Sequence, residues 1–449
     1  MSPGARRSLV SVVAIVVIAA AAAIWIIRGP GPIAFADGQK VALADYKSGD
    51  PTGVPAALAA ASNVERGAYL ARAADCEACH TAQGGKDYAG GLAIRLPFGA
   101  LYSTNITPDK ETGIGNYSDQ DFLNALHRGI RHDGARLYPA MPFTSYTYMT
   151  DADALAIKAY LFSLPPVRAA VPANTLAFPF NQRWAMNVWS VLFNPDTRFE
   201  PDGSKSPEWN RGAYLAEALA HCGECHTPRS LALALNNRQK FAGAVTAGWR
   251  AFNISSDRTT GVGAWRDEDL ASYLSTGHAD GRGTASGPMG EAVDHSLSQL
   301  APEDIRAVVA YLRTVPAIAS PDLPATLAAA ASGSHRDGGG TPDPRGKMVF
   351  EGACVSCHGW TGESSISPFA TLTGTWAVND PGATNVAQIV ISGTRRHTPA
   401  NAVSMPAFGN AYSDVEIAAV ANYVTSRFGS KGSHLTAQDV AELRKQTSE

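Results

Sequence analysis

Six cysteines occur in this chain of 449 residues, and all of them belong to three copies of Cys-X-X-Cys-His. The copies are Cys76, Cys79 and His80; Cys222, Cys225 and His226; and Cys354, Cys357 and His358. Disulfides would leave the adjacent histidines without a role, and three isolated pairs do not make tetrahedral zinc cages. A thioredoxin-like pair needs a βαβ context, which is absent here. Covalent attachment of haem c uses every residue of the motif. Both thiols bond one porphyrin, and the histidine ligates the iron.

A regular interval identifies candidates for the sixth iron ligand. A glycine lies 12 residues before each of three methionines, in the pairs Gly129 and Met141, Gly277 and Met289, and Gly393 and Met405. The interval of 36 residues from Asn105 to Met141 recurs from Asn253 to Met289. Methionines that only fill a core need no such register, so we predict Met141, Met289 and Met405 as axial ligands. A His/Met pair saturates the iron and favours electron transfer over substrate binding.

The sequence leaves other residues possible as the sixth iron ligand. Met149 is an alternative to Met141, although it lies eight residues beyond the register. Bis-histidine ligation is the alternative for all three haems, because a histidine follows each register glycine at His132, His278 and His397. Asn105, Asn253 and Trp265 are candidates to face haem propionates, or to serve in turns and packing.

Two helical patterns frame each motif. The first contains Arg-Gly and runs into the cysteines, and the second starts at Asp151, Ala301 or Ser413 with apolar residues at i, i+3, i+4 and i+7. A small cytochrome c domain closes around its haem with two such helices. The pattern predicts an all-α fold of three tandem class I cytochrome c domains. Their predicted ranges are 60–170, 205–318 and 344–430.

The N-terminal segment, 1–36, carries an export signal. Arg6 and Arg7 precede an apolar run over residues 9–27, which is long enough for a transmembrane helix. A cleaved signal peptide ending near Ala36 is the alternative. Both interpretations place the bulk of the chain on the periplasmic side of the cytoplasmic membrane. The net charge of −3, with charges dispersed and no basic stripe, argues against a nucleic-acid partner.

The segments between the predicted domains differ in composition. Residues 319–343 are rich in Pro, Ala, Ser and Gly and predict a flexible linker. Residues 171–204 contain an aromatic, amphipathic stretch. This stretch is either a helix packed on its own domains or a surface for a partner subunit or the membrane. Residues 431–449 are charged and predict a polar tail.

The sequence resembles the tri-haem cytochrome c subunit of bacterial membrane-bound, quinone-reducing dehydrogenases of the alcohol, aldehyde and gluconate type. This resemblance rests on the three Cys-X-X-Cys-His motifs and on three longer segments, "NRGAYLAEALAHCGECHTPR", "YLSTGHADGRGTASGPMGEAV" and "VSMPAFG". It implies that the nine motif residues and the three register methionines hold three covalent haem c groups. It also implies transfer of electrons from a separate catalytic subunit to membrane ubiquinone. That subunit is a quinoprotein, a flavoprotein or a molybdenum protein, and the resemblance allows for a small third subunit.

Two other functions stay open from the sequence. One is a stand-alone periplasmic carrier that delivers electrons to a terminal oxidase, and the other is a multihaem enzyme of the peroxidase kind. The sequence contains no dinucleotide-binding glycine fingerprint. We therefore expect no catalytic residues and an electron-transfer subunit that is not an enzyme by itself.

Overall fold

The computed structural model describes residues 12, 15, 18, 19, 22, 24–320, 343–397 and 402–447. The first sequence repeat contains five helices and one hairpin. Its elements are α1 (Asn63–Ala73), α2 (Cys76–His80), β1 (Ala93–Leu96), β2 (Gly99–Tyr102), α3 (Asp119–Arg128), α4 (Phe143–Tyr146) and α5 (Asp151–Ser163). Ser62 and Glu65 form a capping box that starts α1, and Ser118 and Asp121 form one that starts α3.

The second repeat follows a helix in the aromatic segment, α6 (Ala185–Phe193). Its elements are α7 (Pro207–Tyr214), α8 (Gly223–His226), β3 (Ala244–Thr246), β4 (Trp249–Ala251), α9 (Asp267–Thr276), β5 (His278–Ala279), β6 (Gly283–Thr284), α10 (Gly287–His295) and α11 (Pro302–Leu312). A π-helical turn, Leu215–Leu219, extends α7 toward the haem motif.

The third repeat has the same first and last helices. Its elements are α12 (Pro344–Val349), α13 (Val355–His358), α14 (Trp376–Asn379), α15 (Thr384–Ser392), β7 (Thr394–His397), β8 (Ala402–Met405) and α16 (Asp414–Phe428). A second π-helical turn, Phe350–Cys354, joins α12 to α13. The C-terminal residues form α17 (Ala437–Gln446), which packs on α15 and α16 and buries Val440 and Leu443.

In every repeat the first helix crosses the last one closely. The pairs are α1 with α5, α7 with α11, and α12 with α16. The glycine of each Arg-Gly pair, Gly67, Gly212 or Gly346, lies at the crossing. A Cβ atom at any of these positions would overlap a backbone carbonyl of the last helix. The shared glycine therefore allows the close approach of the two helices that frame the haem motif.

The prediction of an all-α fold is wrong. The described residues form four two-stranded antiparallel sheets, which pair β1 with β2, β3 with β4, β5 with β6, and β7 with β8. Strands of two to four residues are too short to show a period-two pattern, so the sequence did not reveal them.

The predicted N-terminal transmembrane helix is also corrected. No helix among the described residues has the length and apolar character needed to cross a bilayer. The helical residues 24–28 end at Gly29, which has a positive φ of 66°. Much of the apolar run over residues 9–27 lies outside the described residues.

Buried apolar residues form two clusters in the described part of the chain. One cluster contains residues from the first and second repeats together, and the other contains residues of the third repeat and α17. The first two repeats therefore share a core. The predicted domain boundaries stay predictions, and most of the predicted linker over 319–343 lies outside the described residues.

Candidate functional site

The cysteine pairs lie on short helical turns. Within each pair the residues are three positions apart, which places both side chains on one side of the turn. All six thiols are free, and in each pair the first is half-buried and the second exposed. Burial raises the pKa of Cys76 and Cys222 to about 12, so both are neutral thiols in this structure. Such pairs fit attachment to one porphyrin better than a disulfide framework.

The three motif histidines make the same hydrogen bond. The Nδ1–H of His80 donates to the backbone carbonyl of Thr104, that of His226 to Phe252, and that of His358 to Ala370. Each distance is 2.6 Å. Because a carbonyl only accepts, this bond fixes the tautomer and leaves Nε2 as the free lone pair. Burial lowers the pKa of all three rings, which keeps them neutral. A neutral, oriented imidazole is what an iron ligand requires, so the residues present fit haem.

The register between glycine and methionine has a structural cause. Gly129, Gly277 and Gly393 directly follow α3, α9 and α15, with φ of 61°, 73° and 69°. A positive φ favours glycine, and in each case the glycine ends the helix. A short antiparallel segment then follows in each repeat: the Ile130–Arg136 bridge, the β5–β6 hairpin and the β7–β8 hairpin.

The register methionines lie on different elements beyond these turns. Met141 precedes α4, Met289 is in the first turn of α10, and Met405 ends β8. All three are half-buried and pack against the apolar clusters. Whether they ligate iron stays a prediction at this point. The alternative Met149 is fully buried within the shared core.

The alternative histidines have other partners. The His132 side chain is 53% exposed and pairs with Asp121 at 3.1 Å. Both ring nitrogens of His278 are engaged, Nδ1 with Thr284 Oγ1 at 2.9 Å and Nε2 with Asp280 Oδ1 at 3.0 Å. His397 belongs to β7, and its side chain lies outside the described residues.

Asn105 and Asn253 serve in matched turns. Each side-chain oxygen accepts a backbone N–H two residues ahead at 2.9 Å. Each side-chain nitrogen donates to a carbonyl that follows the last helix of its repeat, Val167 at 2.7 Å and Ile318 at 2.6 Å. Trp265 is buried and contacts Trp376 edge-on, with 5.1 Å between ring centroids. These contacts give all three residues roles in turns and packing.

The first and second haem motifs lie against each other in a reciprocal arrangement. Glu77, within the motif of the first repeat, is 3.4 Å from His295 at the end of the helix that carries Met289. Glu224, within the second motif, accepts a hydrogen bond at 3.1 Å from Ser145, four residues beyond Met141. The histidine-bearing turn of each repeat therefore contacts the methionine-bearing segment of the other.

The framing helices repeat this exchange. The hydroxyl of Tyr69 donates to Asp304 of the second repeat at 2.6 Å, and the hydroxyl of Tyr214 donates to Asp153 of the first repeat at 2.5 Å. Both tyrosines come from the Gly-Ala-Tyr-Leu sequence before the motif. The third repeat has Met348 at this position, and its side chain is exposed. Sequence reasoning missed this interface, although the substitution in the third repeat was a signal for it.

Comparison with known proteins assigns the chain to a family. A cytochrome c family model matches residues 64–165 and 344–427. The fructose dehydrogenase cytochrome subunit of Gluconobacter japonicus is 40% identical over 414 residues, which is 88% of this chain and 85% of the relative. The chain belongs to the family of cytochrome c subunits of dehydrogenases.

Further members of this family support the assignment. The gluconate 2-dehydrogenase cytochrome c subunit of Pantoea cypripedii is 38% identical, over 85% of this chain and 89% of the relative. The cytochrome c subunit of the quinone alcohol dehydrogenase of Gluconobacter oxydans is 35% identical, over 85% of this chain and 82% of the relative. This cytochrome subunit therefore carries covalently bound haem c and transfers electrons. The resemblance of the sequence to cytochrome c subunits of dehydrogenases is therefore confirmed.

Proposed function

We propose that this cytochrome subunit holds three haem c groups, within domains over 60–170, 205–318 and 344–430. The cysteine pairs of the three motifs would hold the haems, and the residues that would ligate the irons are His80 and Met141, His226 and Met289, and His358 and Met405. Each group, when bound, supplies a reversible one-electron couple. The identical Nδ1 bond of the three motif histidines is the observation that carries this proposal.

The residues around each site act by orientation and exclusion. The carbonyl bond holds each imidazole in one orientation, and a partner on Nδ1 also increases the basicity of Nε2. The methionine would supply the second iron ligand, so no coordination position would stay open for a substrate. The first cysteine of each motif and the register methionine pack against the apolar clusters, which limits the access of water to that side of each site.

The arrangement of the repeats supports a relay within one chain. The first and second sites are joined by the reciprocal contacts of Glu77 and Glu224. The second and third repeats meet through the ring contact of Trp265 with Trp376. We propose that electrons enter from the catalytic dehydrogenase subunit and leave to ubiquinone. A relative whose name specifies a quinone alcohol dehydrogenase supports quinone as the acceptor.

An exposed apolar surface supports a location at the periplasmic face of the cytoplasmic membrane. The Trp184, Val188 and Val191 side chains of α6 and its N-terminal flank are 58 to 68% exposed. Trp25 of the N-terminal segment is 74% exposed, and Arg28 of the same segment donates to the carbonyl of Leu192 in α6. Aromatic and aliphatic side chains of this kind favour the membrane interface.

Haem content and ligand replacement test the proposal. The purified subunit is expected to contain three covalent haems per chain by haemochrome assay and mass spectrometry. Met141→Ala, Met289→Ala and Met405→Ala should each open one haem to carbon monoxide, because each removes one axial ligand. Met149→Ala is the matched control and should leave all haems six-coordinate. Two haems per chain, or a six-coordinate spectrum in a register variant, would contradict the ligand set.

Turnover measurements separate the three functions. The purified subunit alone should not reduce ubiquinone-1 with an alcohol, aldehyde or sugar substrate, and adding the catalytic partner subunit should produce reduction. Binding of carbon monoxide or cyanide to the resting wild-type protein, with peroxide turnover, would instead favour a peroxidase. Retained electron delivery to a terminal oxidase without quinone reduction would favour a stand-alone carrier.

A further inference from the structure

Arg396 places a buried positive charge inside a different repeat. It lies on β7, in the hairpin whose other strand ends at Met405, and its side chain is only 2% exposed. Its guanidinium donates to the carbonyls of Thr276 at 3.2 Å and Ala285 at 3.3 Å, both in the second repeat. It also pairs with Asp294 of α10 at 2.8 Å. One side chain of the third repeat thus contacts three points of the second.

These three points enclose the segment that carries Met289. Thr276 ends α9, Ala285 directly precedes the turn into α10, and Asp294 lies near the C-terminal end of α10. Gly277, the register glycine, lies against the guanidinium so closely that a Cβ atom would overlap it. The same side chain therefore contacts both the glycine and the helix that define the register of 12 residues.

The corresponding residues of the other repeats do not reach across. The residue three positions after the register glycine is Arg396 in the third repeat, His132 in the first and Asp280 in the second. The His132 side chain is 53% exposed and that of Asp280 is 92% exposed. The neighbouring Arg395 of β7 is exposed as well. Burial of Arg396 is therefore a property of this single position and not of the hairpin.

The energetics argue against a role in stability alone. Desolvation of a guanidinium is costly, and burial lowers the pKa of Arg396 even with Asp294 beside it. Its Nε–H is buried without a hydrogen-bond partner among the described residues. An apolar side chain of similar volume would avoid both costs. A buried ion pair of this kind is better suited to specifying how two elements sit together.

We propose that Arg396 is a positioning residue that fixes the Met289 segment against the Met405 hairpin and so sets the second haem in register with the third. This inference rests on the proposed ligands Met289 and Met405. Arg396 offsets the negative charge of Asp294 next to this segment, so loss of Arg396 alone would leave a negative charge that favours the oxidised, more positive state of the second site. The electron that passes between the two sites involves no proton and no bond change in Arg396.

Variants of the full haem-loaded subunit test this role. Arg396→Met removes the charge and all three contacts. We expect this variant to lower the midpoint potential of the second haem and to weaken one of the three methionine–iron absorption bands. We also expect it to slow electron exchange between the second and third haems by about tenfold or more, because small displacements in such sites have large kinetic effects. Arg396→Lys keeps the charge but cannot reach all three acceptors, so it should retain the potential and still slow the exchange.

Three controls make the outcome decisive. Arg395→Met removes a neighbouring exposed charge and should change none of these properties. Arg396→Met combined with Asp294→Asn keeps the site neutral, so it should restore folding if the single variant folds poorly while leaving the exchange slow. An unchanged absorption band and unchanged exchange in that double variant would overturn the positioning role. If Met289→Ala fails to open the second haem, the ligand assignment fails instead, and the two failures are distinguishable.

Discussion

Replacing Tyr214 with phenylalanine should destabilise the first two repeats as one unit. The hydroxyl donates to Asp153 at 2.5 Å and accepts the backbone N–H of Thr150 at 3.2 Å. Asp153 is 2% exposed, and in the variant it keeps the N–H of Gly53 at 2.8 Å as a partner. The loss of a hydrogen bond to a buried carboxylate, with a backbone N–H left unpaired, lowers the free energy of unfolding by about 2–3 kcal/mol.

The reciprocal change at Tyr69 should have a smaller effect. Its hydroxyl donates to Asp304 at 2.6 Å and accepts the backbone N–H of Ala301 at 3.1 Å. Arg211 also holds the Asp304 carboxylate through two bonds of 2.6 and 2.8 Å. Because its cation keeps the carboxylate paired, we expect Tyr69→Phe to lower the free energy of unfolding by about 1–2 kcal/mol. The structure therefore predicts both a sign and an order for two tyrosines that occupy equivalent positions in the sequence.

Thermal unfolding of the haem-loaded subunit measures these effects. The shared core should give one transition for the first two repeats and the other cluster a separate one. A loss of 2–3 kcal/mol corresponds to a midpoint lower by about 4–12 °C for a unit of this size. Met348→Ala, at the equivalent exposed position of the third repeat, is the control and should change the free energy by less than about 0.5 kcal/mol. Equal midpoints for all three variants would refute the reciprocal interface.

Three further predictions concern buried groups. Met149→Ala should lower the free energy of unfolding by about 2–5 kcal/mol, because the substitution leaves a cavity in the core. A change in the carbon monoxide spectrum of this variant would show that Met149 is an iron ligand. Lys240→Met should lower the free energy of unfolding, measured by chemical denaturation, by about 3–5 kcal/mol, because the buried carboxylate of Glu217 loses its cation at 2.6 Å. The double variant with Glu217→Gln should recover most of this loss. Burial lowers the pKa of His127 to about 4, so its ring is neutral in the folded state and protonates near pH 6.5 only when unfolded. The free energy of unfolding should fall by up to about 3 kcal/mol as pH falls from 6.5 to 4. If the free energy of unfolding of His127→Gln depends on pH as steeply as that of the wild type, this reasoning is wrong.

Local features of the sequence determined the candidate haem sites and the main helices. The motif spacing depends only on covalent geometry within one helical turn, and it is visible in any chain. The helices predicted from Asp151, Ala301 and Ser413 begin within one residue of those positions, because their caps and apolar periods are also local. The interval of 12 residues was visible in the sequence for the same reason, since one glycine with a positive φ ends each preceding helix.

Contacts between repeats were decided only by the tertiary structure. The two Gly-Ala-Tyr-Leu segments are alike in sequence, so nothing local indicates that each tyrosine binds the last helix of the other repeat. Two adjacent arginines on β7 are likewise indistinguishable by type, yet one is exposed and Arg396 is buried in the second repeat. Which polar group loses its water depends on how whole elements pack, and packing between distant segments leaves no periodic signal in the chain.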